Sequence, residues 1–347
     1  MTTFLQLHLL TAYGPSNLNR DDTGRPKTAV FGGAERLRIS SQSLKRAWRT
    51  SDPFREACGE FVGERSQRFA AEYLLKSLLT KGVKEKEALA RVRSVLAEIG
   101  KPKDEKDERS ADIEQLAHLG PEEIARLTAL ADALSEGKLD EAKEKLILVK
   151  HPKAVDIAMF GRMLADNPDY NVEAAVQVAH AITTHKAIVE DDYFTAVDDL
   201  KRHEDDRGAG MIGVQEYGSG LFYTYICVDK DLLLKNLSGD AALTNKAIEG
   251  LVRAATTIAP GGKQNSFGSR ARATFVLAEK GSDQPRSLAV AFLNPVTGED
   301  LLIDSIGRLT DTRTKIDTVY GDERRIETMN ARTGEGSLDA VIRLLTE

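Results

Sequence analysis

Ser40-Ser41-Gln42-Ser43-Leu44-Lys45-Arg46-Ala47-Trp48-Arg49 reads as a serine-capped helix, since a serine oxygen can take a free N–H of the first turn. Leu44, Ala47 and Trp48 fall on one side at i, i+3, i+4, while Lys45 and Arg49 share another face one turn apart. The sequence on either side of this helix decides the fold. Before it, residues 3–11 alternate, with Phe4, Gln6 and His8 against Leu5, Leu7 and Leu9, the pattern of a half-buried strand. Polar, turn-rich sequence follows through Gly33.

After it, from about 60 to 150, the period changes to 3.6. Leu89, Val92, Leu96 and Ile99 form an apolar stripe that stops at Gly100 and Pro102. Pro121-Glu122-Glu123 opens a further helix, with proline and acids where a first turn favours them, and Gly137 closes it. The charged run 101–110 between them reads as a solvated loop, so this region is expected to be a helical insertion with its own small core. Strand patterns then return. Val155, Ile157 and Met159 alternate, as do Val176, Val178, His180 and Ile182. In 219–228, Tyr223, Tyr225 and Cys227 face one way and Phe222, Ile226 and Val228 the other. An amphipathic helix over 240–259 and strands near 272–278 and 287–293 complete the pattern. This order points to an α+β fold with a mainly antiparallel sheet and not to a doubly wound parallel one.

The 347 residues carry 48 Lys and Arg against 54 Asp and Glu, a net charge of −6. The charge is unevenly distributed. Residues 20–55 hold nine basic and four acidic side chains, and residues 101–150 hold nine basic and thirteen acidic ones. That polarity suits a protein with one polyanion-binding face. No apolar run is long enough to cross a bilayer, and the apolar N-terminus lacks a basic leader, so a cytoplasmic protein is expected. Two distant cysteines, Cys58 and Cys227, allow at most one disulfide and no zinc site.

Gly208-Ala209-Gly210-Met211-Ile212-Gly213 matches G-x-G-x-x-G, but it follows a polar run and leads into strand-like sequence. It therefore reads as a chance match in a hairpin. The acid pairs Asp21-Asp22, Asp191-Asp192, Asp198-Asp199 and Asp205-Asp206 read as turns or solvated faces, since adjacent side chains diverge. His180 and His185, five apart, fall on opposite faces of a strand, and His180 reads as a hydrogen-bonded core residue. No cofactor, metal site or catalytic constellation is expected.

A phosphate site has better support. The capped helix presents free N–H groups and the positive end of its dipole. Ser40, Gln42 and Ser43 stand at that end, with Arg36, Arg38, Lys45, Arg46 and Arg49 around it. A second basic loop, Gly261 to Arg270, contains Lys263, Gln264 and Asn265 and no acid.

At these residues the sequence resembles the CasC family, the backbone subunits of type I-E CRISPR Cascade complexes within the RAMP superfamily. The blocks that carry the resemblance are Ser16 to Asp22, Phe31-Gly32-Gly33, Arg38 to Arg46, Val155 to Ala158 with Gly161-Arg162-Met163, and Ala179 to His185. Phe194 to Leu200, Gln215-Glu216-Tyr217 and Pro260 to Gln264 complete them. The resemblance implies an RRM-like (ferredoxin-like) palm over 1–54, 153–194 and 221–347, a helical fingers insertion over 55–152, and a β-hairpin thumb over 195–220. It implies a non-enzymatic subunit whose copies, six in the family, line up along one CRISPR RNA and leave bases free for a target DNA strand. The other partners implied are the large and small subunits and those that bind the 5′ and 3′ ends of the guide, with no membrane.

Carried over by position, the RNA contacts would be Arg20, Lys27, Arg38, Ser40, Gln42, Ser43, Lys45, Arg46, Arg49, Gln215, Lys263, Gln264 and Asn265. Met163 would be a wedge at a kink in the RNA; without the resemblance it reads as a core methionine. A holder for guides of any sequence must grip phosphate and sugar, which is what these residue types can do. The acidic stretch His203 to Arg207 carries no expected phosphate contact. The alternatives are a metal-dependent endoribonuclease, with Asp21, Asp22 and Asp191 as its candidates, and a stand-alone RNA-binding regulator.

Overall fold

The structure is a computed structural model that describes residues 2–138, 147–196 and 211–347. In chain order the strands are β1 (Phe4–Ser16), β2 (Thr28–Phe31), β3 (Ala34–Ile39), β4 (Glu64–Ser66) and β5 (Ala117–Leu119). They continue as β6 (Val176–Val178), β7 (Ala181–Thr183), β8 (Val189–Ala196), β9 (Met211–Asp229), β10 (Phe275–Gly281) and β11 (Arg325–Asn330). Helices α1 (Ser41–Arg49) and α2 (Asp52–Cys58) follow β3. The main sheet runs β11-β10-β1-β9-β7-β3-β2, with β6 and β8 also on β9, and every recorded pairing is antiparallel. The central order β10-β1-β9-β7, with helical connections after β1 and β9, is that of a split, ferredoxin-like βαββαβ unit. The α+β expectation holds.

β1 is not half-buried. As the centre of the sheet it is covered on both faces, and Gln6 and His8 are buried like Leu5 and Leu7. One face packs on α1, α2 and the helices Ala241–Thr257 and Leu338–Thr346, with Leu44, Trp48, Phe54, Leu251 and Val341 in the shared core. The other face is covered by the turn Ala289–Phe292 and the helix Leu301–Tyr320. Gln6 and His8 on that second face find hydrogen-bond partners. The His8 ring meets the Tyr223 hydroxyl at 2.9 Å and the Glu279 carboxylate at 3.1 Å. The Gln6 amide oxygen accepts from the Tyr225 hydroxyl at 2.8 Å.

The insertion has its own core, built from Phe69, Leu78, Val92, Leu96, Leu127, Leu134 and Leu148. Leu164, beyond the expected end at 152, also belongs to it. Gly137 closes the helix Pro121–Ser135 in the left-handed region, at φ 79°.

Several expected elements differ. The alternation through Val155, Ile157 and Met159 forms a helix, Val155–Phe160, with its first five residues all buried. A short apolar run enclosed on every side carries no periodic signal. The strand expected near 287–293 is the single turn Ala289–Phe292, because β11 takes the sheet edge beside β10 instead. The strand over 176–182 breaks between β6 and β7, and His180 at the break is exposed, its ring 2.9 Å from an Arg38 guanidinium nitrogen. The strand expected near 272–278 begins at Phe275. β8 and β9 pair from Val189↔Gly218 to Ala196↔Met211, so the ribbon starts before residue 195. The tip of the expected thumb, the pairs Asp198-Asp199 and Asp205-Asp206 and the first half of the G-x-G-x-x-G match lie outside the described residues. Among the described residues no helix is long and apolar enough to cross a membrane.

Candidate nucleic-acid interface

The site is organised by α1. Ser40 caps it, its hydroxyl accepting the Ser43 N–H at 3.3 Å, and the first turn carries no acid while the last carries Arg46 and Arg49. Leu44 and Trp48 are buried in the core under the main sheet, and burial of a leucine there contributes roughly 1.5–3 kcal/mol. That anchorage turns the opposite stripe, Gln42, Lys45, Arg46 and Arg49, outward at helical spacing.

This stripe forms one wall of a cleft of about 670 Å³. Arg65 of β4, His118 of β5, Leu116, the segment Phe160-Gly161-Arg162-Met163, Val172 and Ala174 form the rest of its lining. The Lys45 ammonium lies 5.9 Å from the Phe160 ring centre, and burial holds its pKa below the ordinary lysine value. Met163 is 80 % exposed at this cleft and is not a core residue. Arg162 beside it is buried, its guanidinium on both carboxylate oxygens of Glu123 at 2.8 and 2.7 Å. A buried residue thus fixes an exposed one at the cleft.

A second group gathers around the N-terminal end of α1, beside Ser40. Asn17, Leu18 and Asn19 join three elements there. The Asn19 side chain accepts the Ser40 N–H at 2.8 Å, and the Asn17 amide donates to the Glu216 carbonyl at 2.9 Å, at the ribbon base. Gly262 packs so close to Leu18 that a Cβ would overlap the Leu18 carbonyl oxygen. The Lys263 ammonium donates to the Gln215 side chain at 2.6 Å, which joins the glycine-rich loop to the ribbon. Lys27 and Arg38 lie beside Asn19 and Gly218, and Arg20 is exposed at the neighbouring turn. Asn265 is exposed on the loop.

Three expected contacts have structural work to do. Arg36 is fully buried, donating to the carbonyls of Thr183 at 2.9 Å and Phe292 at 2.8 Å, so it is not part of the basic face. The Gln264 amide donates to Pro260 and Ser269 carbonyls at 2.8 and 3.1 Å and so braces its own loop. Arg49 lines the cleft but also pairs with buried Asp156 at 3.3 Å. Sequence reading missed Arg65, His118 and Asp156. Arg65 and His118 belong to the insertion and meet α1 only through the fold, and Asp156 sits in the run misread as a strand.

The acidic candidates are dispersed in role. One Asp21 oxygen accepts from the Thr23 N–H at 2.9 Å, the Thr23 hydroxyl at 2.8 Å and the Arg25 N–H at 3.0 Å, which caps its own turn. Asp191 lies across from Glu216 in the ribbon, and Glu216 pairs with Arg25 at 2.7 Å. Among the described residues no group of three His, Cys, Asp or Glu could hold a metal ion.

The chain superposes on a chain of a "CRISPR RNA-guided surveillance complex, pre-nicking" with a TM-score of 0.87 and 31% identity over 99% of both chains. A chain of a second "CRISPR RNA-guided surveillance complex" matches with a TM-score of 0.76 and 27% identity, again over 99% of both. No curated protein sequence matches it. The sequence pattern of the family described as "CT1975-like protein" matches residues 5–344, nearly the whole chain, and the protein belongs to that family.

Proposed function

We propose that the chain is a CRISPR RNA-binding backbone subunit of a Cascade-type surveillance complex, of type I-E, without chemistry of its own. The observation that carries this reading is the cleft beside α1, where Lys45, Arg46, Arg49 and Arg65 line one space and exposed Met163 stands within it. Cations on a rigid helix hold phosphates and say nothing about bases, which is the requirement for holding guides of any sequence. A flexible, polarizable methionine beside them can press between bases of any kind. The likeness to surveillance-complex chains supports the same reading, and the type I-E assignment rests on the sequence blocks from Ser16 to Gln264.

On this reading copies of the chain repeat along the guide, each ribbon reaching its neighbour, and the exposed bases pair with a target DNA strand. The remaining partners are the large, small and guide-end subunits, in the cytoplasm. The palm of this reading is RRM-like, and the contacts are those at the two ends of α1.

The test is affinity purification from cells with sequencing of the bound RNA, beside binding of Lys45→Ala/Arg46→Ala to labelled RNAs of unrelated sequence. Repeat-derived guides in the eluate and a uniform loss of affinity are expected. A loss confined to one RNA sequence overturns the reading. Specific cleavage of RNA in Mg²⁺ that Asp21→Ala, Asp22→Ala or Asp191→Ala abolishes would replace it with the endoribonuclease.

A further inference from the structure

We propose that Asp156 is the positioning residue of the cleft, a buried carboxylate that aims Arg49 and His118 at a nucleic-acid phosphate; the inference rests on the RNA reading above. Asp156 is the only charged residue of Val155–Phe160 and is fully buried. A carboxylate in that position is costly unless every lone pair finds a donor. Four donors are present. One oxygen accepts the N–H of Gly63 at 2.8 Å and of Ile157 at 3.1 Å. The other meets the Arg49 guanidinium at 3.3 Å and His118 Nε2 at 2.8 Å.

Apart from its neighbour Ile157, these partners come from three places in the chain: the last turn of α1, the entry to the insertion, and β5 inside the insertion. Arg49 and His118 both line the cleft, with side chains only 13% and 10% exposed. Asp156 therefore joins the palm wall of the cleft to the insertion wall. Because a carboxylate only accepts, the Nε2 contact makes that ring nitrogen the donor and fixes the orientation of the imidazole.

The position of the acid makes the sign of its effect diagnostic. An acid beside a polyanion site repels the ligand, so its removal should tighten RNA binding if charge alone mattered. If Asp156 instead holds the Arg49 guanidinium and the His118 ring in place, its removal weakens binding although the cleft loses a negative charge. The variant Asp156→Asn keeps the shape and an acceptor oxygen. The assay is fluorescence polarisation with a labelled single-stranded RNA across about 50–200 mM salt.

Asp156→Asn is expected to bind roughly tenfold more weakly, the equivalent of one charge-assisted contact. Its salt slope should be shallower by about 0.7, one phosphate contact on a single strand. In an Arg49→Ala background it should add little. Equal or tighter binding by folded Asp156→Asn overturns the proposal. Should that variant lose its native circular dichroism, Arg49→Gln and His118→Gln take its place, and undiminished binding by both overturns the proposal equally. A wild-type protein that binds none of the RNAs is a failure of the functional reading instead, since no variant is then needed to see it.

Discussion

Arg162→Met is the substitution whose effect the structure defines most sharply. The Arg162 guanidinium is surrounded by acceptors. It meets Glu123 at 2.8 and 2.7 Å, the Tyr170 carbonyl at 3.0 and 2.8 Å, and the Val149 carbonyl at 2.8 Å. Neither side chain of the Arg162–Glu123 pair is exposed. Methionine fills similar space but leaves Glu123 as a buried charge whose remaining donors among the described residues are the N–H groups of Gly120 and Val149, each at 2.8 Å. Breaking a buried pair from one side costs about 3–5 kcal/mol. Replacing both partners with apolar residues is expected to cost much less, because no charge is then left unpaired, so Arg162→Met/Glu123→Met should be more stable than Arg162→Met alone. The assay is urea denaturation followed by two probes. Trp48, the one tryptophan, sits in the palm core, and far-ultraviolet circular dichroism also reports the helices of the insertion. Since Glu123 lies in the insertion, the dichroism transition should move to lower urea by more than the Trp48 transition. A loss below about 1 kcal/mol, or a double variant less stable than the single one, refutes the reasoning.

Three further outcomes are expected. Stability should fall on acidification below neutral pH. Burial lowers the His8 pKa from 6.5, and although burial also pushes Glu279 upward, its bonds from Arg286 and His8 hold it at about 2 against an ordinary 4.5. The unfolded chain therefore takes up protons first at His8 and then at Glu279, so stability is complete above about 6.5 and is lost as pH falls toward 2; Glu279→Gln should flatten the acid limb of urea midpoint against pH. Gly262→Ala should displace the loop from the Leu18 carbonyl, separate Lys263 from Gln215 and weaken RNA binding several-fold with little change in thermal midpoint; unaltered binding would show that the loop does not touch RNA. Burial pushes the Cys58 thiol up to about 12 and Cys227 up to about 11, so at pH 8 an aromatic disulfide reagent should label neither in the native protein and both in urea. Rapid labelling of the native protein would mean that these cores open readily.

Features whose information is local are legible in the amino-acid pattern alone. The Ser40 cap, the stripe of Leu44 and Trp48 opposite Lys45 and Arg49, and the two-sided strand 219–228 lie within one or two helical turns or one strand of themselves. So does the change to a 3.6 period that announced a separately packed insertion. Period is a poor guide where both faces are covered. For that reason alternation alone makes β1 read as half-buried, Val155 to Met159 as a strand, and 287–293 as part of a sheet whose edge β11 occupies.

Which basic residues are available depends on how distant segments pack. Arg36 and Arg38 are two apart on one strand, yet Arg36 points into the core toward Thr183 and Phe292 and Arg38 toward exposed His180. That packing also decides that Met163 is exposed, that Arg65 and His118 face α1 across a cleft, and that Asp156 lies beneath them. Burial and convergence depend on packing between segments dozens of residues apart, and no pattern within either segment carries that information.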